Sequence, residues 1–174
     1  MKKIILSIAV VIALIIGCKT ANSNESKKLL LNFEPKSNST VSGTATFVEK
    51  NSKVTFEAKI SGLKPGIHAI HIHEKSDCSS ADGSSAGGHW NPTFKKHGKW
   101  GEGEYHKGDI GNFIADENGN GTITLTTDEW CIGCGDPAKD ILGKGLIVHQ
   151  GADDFVSQPA GNSGARIACS AIIK

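Results

Sequence analysis

Short apolar segments separated by turn residues run through most of the chain. Segments rich in Val, Thr, Ile and Phe, in which polar residues alternate with apolar ones, are typical of half-buried β-strands. From Leu29 onward this pattern predicts about eight strands, the clearest of which cover residues 42–49, 53–60, 67–74, 110–115, 122–126, 146–149 and 165–173. The sequence predicts no helix of convincing length and shows no internal repeat.

Two long segments, residues 75–108 and 150–164, follow neither the strand period nor the helix period. They are rich in Gly, Ser, Asp and Lys, and unstructured loops of this length inside a compact domain are usually functional. The composition, with 21 Gly and 6% aromatic residues, also favours a turn-rich β domain. The sequence therefore predicts an all-β sandwich or barrel with two long functional loops.

The N-terminus has the features of an export signal. Met1-Lys2-Lys3 is followed by an apolar run over residues 4–16, which is too short for a typical membrane-spanning helix. The run ends in Gly17-Cys18, which resembles a bacterial lipobox with Cys18 as the lipidated residue; ordinary signal cleavage beside an incidental cysteine is the alternative. We expect a signal peptide (1–17), the lipidated cysteine with a flexible tether (18–28) and a folded domain (29–174).

The cysteine content fits an exported protein. Of the five cysteines, Cys18 is assigned to lipid, which leaves four, and an even number in an oxidising compartment indicates two disulfides. Four cysteines allow three pairings, and the sequence alone does not choose among them. The Cys131-x-x-Cys134 segment could be a redox motif, a metal clip or a local structural disulfide. The absence of a predicted helix beside it favours the structural disulfide.

The total charge gives no indication of a strong overall electrostatic field around the protein. The formal net charge is +1, and cleavage of the signal peptide would remove two lysines and no acidic residue. A nearly neutral chain gives no reason to expect a nucleic-acid partner.

The histidines are grouped rather than scattered. On the strand over residues 67–74, His71 and His73 share one face because strand side chains alternate, so both can converge on one metal ion. That pair alone is explained equally well by a solvated strand face. His68 has the opposite parity and is expected to be a hydrogen-bonded core residue.

The first long loop strengthens the case for metal binding. It contains three histidines and leads into a carboxylate, a set that suits zinc, and a metal would order a glycine-rich loop that packing cannot order. His149 ends an apolar strand and is held rigidly there. The nitrogen ligands available also suit Cu(II). The candidate ligands in and beside the loop are His89, His97, His106 and Asp109.

Taken together, these motifs resemble the copper/zinc superoxide dismutases in order and spacing, over roughly residues 29–174. The resemblance rests on residues 66–74, 87–92, 97–98, 106–112, 148–149 and 164–169. It implies an eight-stranded antiparallel Greek-key sandwich or barrel, immunoglobulin-like in architecture, that converts superoxide to dioxygen and hydrogen peroxide. It also implies one copper and one zinc per subunit.

The resemblance further assigns roles to individual residues. The implied copper ligands are His71, His73, His89 and His149, and the implied zinc ligands are His89, His97, His106 and Asp109. His89 would be shared between the metals and take part in catalysis, Arg166 would attract superoxide to the copper, and Asp153 would link ligands of both metals. The implied disulfides are Cys78–Cys169 and, with the remaining cysteines, Cys131–Cys134.

Two other classes of function compete with the enzyme: a metal-binding module without catalysis, and a surface domain whose histidines are incidental. The first would fit a chain that lacks the arginine or the copper ligands, which this chain keeps. We expect superoxide as substrate and a lipid anchor to the cell envelope, in the outer membrane or facing the periplasm. Monomer and homodimer both stay open.

Overall fold

The computed structural model describes residues 26–174, so the predicted signal peptide and lipidation site lie outside the described residues. The first strand begins at Lys27, slightly before the predicted start of the domain at Leu29. The strands are β1 (Lys27–Asn32), β2 (Glu34–Pro35), β3 (Ser42–Lys50), β4 (Lys53–Ser61), β5 (Gly66–His73), β6 (Gly111–Ala115), β7 (Gly121–Thr127), β8 (Lys144–His149) and β9 (Arg166–Ile172). Seven of them fall where the apolar pattern predicts strands, to within one or two residues.

All nine strands belong to one antiparallel sheet with the order β1-β3-β4-β7-β6-β5-β8-β9-β2. The two ends of this sheet are formed by β1 and β2, which are separated only by Phe33. Because β1 pairs with β3 and β2 pairs with β9, one bent segment of chain joins both ends and nearly closes the sheet into a barrel. The predicted all-β antiparallel fold is confirmed, with nine strands rather than about eight; β1 and β2 lie outside the seven predicted ranges.

Strict alternation on β4 builds the core of the barrel. Val54, Phe56, Ala58 and Ile60 are at most 1% exposed, whereas the residues between them point outward. Phe56 packs against Phe47 of β3 with ring centroids 4.9 Å apart. Burial of each large apolar side chain stabilises the fold by about 1.5–3 kcal/mol, so the core gives the site a rigid support.

Strand β5 connects this core to the functional loops. Ile70 and Ile72 pack into the core on one face, while His71 and His73 are buried on the other face beneath the loops. His68, predicted to be a core residue, is 3% exposed, and its ring nitrogens lie 3.0 Å from His149 O and 2.8 Å from Lys64 O. That prediction is confirmed.

The predicted lack of long helices is also confirmed for the described part of the chain. Within residues 26–174, the helical structure is a single 3₁₀ turn, Ser84–Ala86, in the first long loop. None of the helical structure over this range is long and apolar enough to cross a membrane.

Candidate metal centre

Four histidines from three parts of the chain meet above β5 and β8. His71 and His73 are on β5, His149 ends β8, and His89 comes from the first long loop. One ring nitrogen from each lies within 4.8 Å of the corresponding nitrogens of the others, and all four residues are buried. We call this group the all-histidine cluster.

His89 reaches this cluster because its loop segment is hydrogen-bonded along β5. His89 forms an isolated antiparallel bridge with His73, and Trp90 N donates to Ile72 O at 2.8 Å. Near the end of the same loop, Gly108 O accepts a hydrogen bond from Ile72 N at 2.9 Å. A Cβ at Gly108 would collide with Ile72 O, so glycine is required for this close approach.

Three histidines of the cluster are held in orientation by a contact to the ring nitrogen that points away from the cluster. His71 Nε2 lies 2.8 Å from Asp153 Oδ2, and His73 Nδ1 donates to Gly87 O at 2.9 Å. His149 Nδ1 lies 3.4 Å from Gly164 O. These contacts fix the ring orientations and leave one nitrogen of each ring directed into the cluster, as in a metal site with oriented ligands.

A second cluster lies beside the first and contains a carboxylate. It consists of four buried residues whose ligand atoms lie within 4.8 Å of one another: His89, His97, His106 and Asp109. We call this group the carboxylate cluster. Asp109 Oδ2 accepts backbone hydrogen bonds from Gly98 N at 3.2 Å and His106 N at 2.8 Å, which hold the carboxylate in place.

His89 belongs to both clusters. Its ring centroid lies 4.1 Å from that of His71 on one side and 5.3 Å from that of His97 on the other. Its Nδ1 lies 2.8 Å from Asp109 Oδ1, while its Nε2 faces the all-histidine cluster. One imidazole is therefore placed to contact two metal ions.

The unpaired nitrogens show that these residues fit metal ions. Among residues 26–174, the buried side-chain nitrogens without a hydrogen-bond partner are His71 Nδ1, His89 Nε2, His97 Nδ1 and His106 Nδ1. His97 Nδ1 is 3.0 Å from Asp109 Oδ2 but lacks hydrogen-bond geometry. Burying a polar atom without a partner costs about 1–3 kcal/mol. All four atoms point into the two clusters, where a metal ion would satisfy them.

The protonation states of three histidines and of Asp109 also suit metal binding. Burial, with the positive charge that neighbouring histidines would carry, holds the pKa values of His73 and His149 well below 6.5 and lowers that of His89 to about 4. Burial raises the pKa of Asp109, but hydrogen bonds from three histidines outweigh it and hold that pKa below its usual range. Neutral imidazoles beside a carboxylate are the forms that bind metals. Burial lowers the pKa of His97, but its hydrogen bonds with Asp109 and Asp153 outweigh burial and raise that pKa to about 9, so a metal would displace a proton from this ring.

Asp153 contacts both clusters from behind. Its Oδ2 lies 2.8 Å from His71 Nε2, and its Oδ1 lies 2.9 Å from His97 Nε2. Asn112, to which the sequence assigned no role, holds Asp153 in place. The Asn112 amide donates to Asp153 O and accepts from Asp153 N, both at 2.8 Å, across 41 residues of sequence.

Arg166 opens onto the same cavity as the all-histidine cluster. The cavity has a volume of about 610 Å³ and is lined by His73, His89, His149 and Arg166, among others. Arg166 Nη1 donates to Gly83 O at 2.7 Å, so the first long loop holds the guanidinium in place. No sequence signal singles out Gly83, because its role depends on a backbone carbonyl.

The disulfides pair as the resemblance implies. Cys78 bonds to Cys169, which ties the first long loop to β9, and the two residues lie 91 apart in sequence. Cys131 bonds to Cys134 within the loop between β7 and β8. Asp140 lies beside the second disulfide and accepts backbone hydrogen bonds from Gly133 and Gly135, both at 2.9 Å.

Comparison with known proteins agrees with this geometry. The family model described as copper/zinc superoxide dismutase (SODC) matches residues 41–172. This chain belongs to the copper/zinc superoxide dismutase family. The family and the two histidine clusters together identify copper and zinc as its cofactors.

Individual relatives include both enzymes and a chaperone. Superoxide dismutase [Cu-Zn] 2 of Aquifex aeolicus (strain VF5) is 39% identical over 137 residues, covering 76% of this chain and 79% of that protein. The copper chaperone for superoxide dismutase of Rattus norvegicus is 34% identical over 142 residues, covering 78% of this chain and 49% of the chaperone. The relatives of this chain thus include a protein that is named for copper delivery.

The fold is also found among solved structures. The crystal structure of the clock protein EA4 superposes with a TM-score of 0.72 and 33% sequence identity, covering 84% of this chain and 94% of that chain. The barrel and its long loops therefore have a close structural counterpart.

Proposed function

We propose that this chain catalyses superoxide dismutation, in which two superoxide anions and two protons give one dioxygen and one hydrogen peroxide. The observation that carries the proposal is the position of Arg166, whose guanidinium lines one cavity with His73, His89 and His149. A fixed positive charge beside an accessible histidine cluster is suited to a small anionic substrate. A site that only stored metal would not need this arrangement.

Each cluster is assigned one metal by its donor atoms. The all-histidine cluster would hold copper through His71, His73, His89 and His149, since nitrogen-only sets suit Cu(II). The carboxylate cluster would hold zinc, since three imidazoles and one carboxylate are typical zinc ligands. When bound, copper supplies the one-electron redox couple of the reaction, and zinc has no redox chemistry of its own.

Arg166 binds and orients the substrate in this scheme. Its side chain is partly buried, and its hydrogen bond to Gly83 O restricts the guanidinium to one position at the cavity wall. Because guanidinium stays protonated at neutral pH, the attraction for an anion persists across the working range. The residue thus raises the local concentration of superoxide and directs it toward the histidines.

His89 is placed to hold and release a proton at Nε2. That atom is buried, while Nδ1 is held by Asp109 Oδ1 at 2.8 Å. The residue also lines the cavity. Burial and neighbouring histidines lower the pKa of His89 to about 4, so the ring is neutral at pH 7 and Nε2 has a free lone pair. Formation of hydrogen peroxide requires two protons, and His89 would deliver one of them.

The deciding experiment is a dismutase assay on the full chain loaded with both metals, with copper and zinc counted on the same sample. We expect rapid superoxide removal with one copper and one zinc per chain. Loss of activity on removal of copper, and its return when copper is restored, would complete the assignment. Stoichiometric copper and zinc without dismutase activity would instead make the chain a metal-binding module, as its likeness to a chaperone allows.

We also propose that the protein acts outside the cytoplasm, anchored by lipid at Cys18, where it protects the cell envelope from external superoxide. The sequence support is the basic N-terminus, the apolar run over residues 4–16 and the Gly17-Cys18 pair. Two disulfides fit an oxidising compartment. Lys19 follows the cysteine and is not the aspartate of the familiar inner-membrane retention signal, which favours the outer membrane.

A further inference from the structure

The loop between β7 and β8 makes a group of contacts that the proposed reaction does not use. Two adjacent residues of this loop, Glu129 and Trp130, contact the chain on both sides of His106. The Cys131–Cys134 disulfide follows immediately. These contacts connect the loop to the carboxylate cluster through the neighbours of His106.

The carboxylate of Glu129 contacts the residue before His106 and the residue after it. Tyr105 OH donates to Glu129 Oε1 at 2.6 Å, and Lys107 Nζ pairs with Glu129 Oε2. One side chain therefore fixes both neighbours of a candidate zinc ligand. Burial raises the pKa of Glu129, but these two donors outweigh it and hold that pKa below its usual value, so the carboxylate is charged at neutral pH.

Trp130 adds a third contact to the same segment. Its Nε1 donates to Lys107 O at 2.9 Å, and its side chain is 1% exposed. The ring packs against Phe47 and Phe56 of the barrel core at centroid distances of 6.1 and 6.5 Å. Trp130 thus connects the His106 segment directly to the rigid core.

The disulfide holds the base of this loop. Cys131 N donates to Lys139 O at 2.9 Å, and Ile141 N donates to Cys131 O at 3.1 Å. Glu49 of β3 accepts from Ile132 N at 2.9 Å. Because Cys131 follows Trp130 directly, these bonds and the disulfide limit the movement of the tryptophan.

We propose that Glu129 and Trp130 are positioning residues, a clamp that holds the zinc ligand His106 in place and slows the loss of zinc, with the Cys131–Cys134 disulfide as the anchor of the clamp. The inference rests on the proposed zinc site. The reason is preorganisation: the His106 segment lies in a loop without regular structure, and ligands are held in position by the groups around them. Without the clamp, the segment would move more freely and the zinc would dissociate faster.

The test measures zinc retention rather than activity. The full chain is loaded with copper and zinc, mixed with an excess of a chromogenic zinc chelator, and the rate of zinc release is recorded. We expect Glu129→Gln and Trp130→Phe each to accelerate release by about 10-fold, the lower end of the effect seen when groups around metal ligands are changed. Copper content should stay at the wild-type level, because Glu129 and Trp130 bond to the neighbours of His106 and not to the all-histidine cluster.

A matched control separates the clamp from a general effect of lost charge. Glu57→Gln removes a carboxylate from another lysine pair, since Glu57 Oε1 lies 2.8 Å from Lys59 Nζ on the outer side of β4. This variant should release zinc at the wild-type rate. Zinc release within twofold of wild type in both Glu129→Gln and Trp130→Phe would overturn the proposal, as would equal acceleration by Glu57→Gln.

Two further variants keep the test decisive if Trp130→Phe fails to fold. Tyr105→Phe removes only the hydroxyl, and its effect on release should be smaller in a Glu129→Gln background than alone, because both changes break the same bond. Full additivity would contradict the clamp. A Cys131→Ala/Cys134→Ala variant should also lose zinc faster, and an unchanged rate would remove the disulfide from the proposal.

Failure of the clamp can be told apart from failure of the proposed function. Unchanged zinc release in a protein that dismutates superoxide would reject the clamp alone. Faster zinc release in the variants of a protein that holds both metals without dismutase activity would support the clamp and reject the catalytic proposal.

Discussion

At the scale of single residues, Asp153 connects the two halves of the metal centre. Its two carboxylate oxygens orient His71 and His97, one from each cluster, and Phe155 N donates to Oδ1 at 2.7 Å. Burial raises its pKa, but the hydrogen bonds from the two histidines outweigh burial and keep it charged. One histidine of each cluster is therefore held by the same side chain.

His149→Ala tests the copper assignment at one residue. His149 ends β8 and is not part of the apolar core, so the variant should fold and keep its zinc. We expect dismutase activity and copper affinity to fall by at least about 100-fold, because the loss of a direct ligand should exceed the effect of changing a group around it. Metal analysis and a dismutase assay on the same sample measure both, and full activity would contradict the assignment.

Tyr105 provides a direct spectroscopic test of its bond to Glu129. The hydrogen bond to Glu129, together with burial, raises the pKa of Tyr105 to about 12 from an ordinary value of 10.0. Because the folded pKa lies above the unfolded one, the bond stabilises the protein fully below pH 10, and that contribution is lost as the pH rises through about 12.

The chain contains a single tyrosine, so the ultraviolet absorbance of phenolate during a pH titration reports on Tyr105 alone. The midpoint should lie near pH 12 in the wild type and move toward 10 in Glu129→Gln. Equal midpoints in the two proteins would show that the bond does not form in solution.

At the scale of elements, strands β5, β8 and β9 carry the rigid part of the site and the first long loop carries the rest. β5 pairs with β8, and β8 pairs with β9, which places His71, His149 and Arg166 on neighbouring strands. The Cys78–Cys169 disulfide then fastens the loop to β9. Gly83 O, in this loop, is the acceptor that positions Arg166.

Removal of this disulfide should therefore affect both stability and catalysis. For Cys78→Ala/Cys169→Ala in the metal-free protein, we expect a loss of about 2–5 kcal/mol in the free energy of unfolding, because the disulfide closes a long loop in the unfolded chain. Urea denaturation measures this loss. The metal-loaded variant should also turn over more slowly, since Arg166 loses its fixed acceptor.

Cys131→Ala/Cys134→Ala is the matched comparison. Its cysteines are separated by 3 positions rather than 91, so the loss of stability should be smaller. An equal or larger loss for the short disulfide would show that loop closure is not the main contribution of the long one.

At the scale of the whole molecule, the nearly closed barrel supports the metal centre, and the accessible histidines and Arg166 open onto one cavity. The formal net charge is only +1, so attraction of an anion depends on local positive charge at the cavity rather than on the total. Arg166 lines this cavity together with Lys95 and Lys96, and its guanidinium is held beside the histidines by Gly83 O.

Arg166→Glu should reverse the electrostatic attraction. We expect the rate of superoxide removal to fall by about 10–1,000-fold, the range over which steering changes association rates. Added salt should slow the wild type and accelerate the variant, because screening weakens attraction in one and repulsion in the other. Arg166→Lys keeps the charge and should keep the wild-type sign of the salt response; an unchanged rate in Arg166→Glu would count against the role of the arginine.

Cys18→Ser tests the lipid anchor. The variant should move from the membrane fraction to the soluble fraction, because a serine cannot take the lipid of a lipobox cysteine. Its dismutase activity per metal ion should match that of the wild type. Continued fractionation with membranes would rule out Cys18 as the anchor.

Much of the fold and of the candidate site follows from local sequence. Alternation on β4 and the parity of His68, His71 and His73 on β5 are set by backbone geometry, which places neighbouring side chains on opposite faces whatever the rest of the chain does. Alternation of this kind predicts seven of the strands, and its absence predicts two long loops. The resemblance to a known family adds the two ligand sets, which local pattern cannot separate.

Only the tertiary structure decides which distant groups meet. Three contacts depend on how the sheet closes and how the loops fold over it. They are the pairing of β2 with β9, the hydrogen bonds between Asn112 and Asp153, and the hydrogen bond between Tyr105 and Glu129. Contacts of this kind leave no periodic signal, because their partners are separated by many residues and often involve backbone atoms, which every residue type provides. The pattern of side chains along the chain determines the strands, whereas closure of the barrel determines the site that they support.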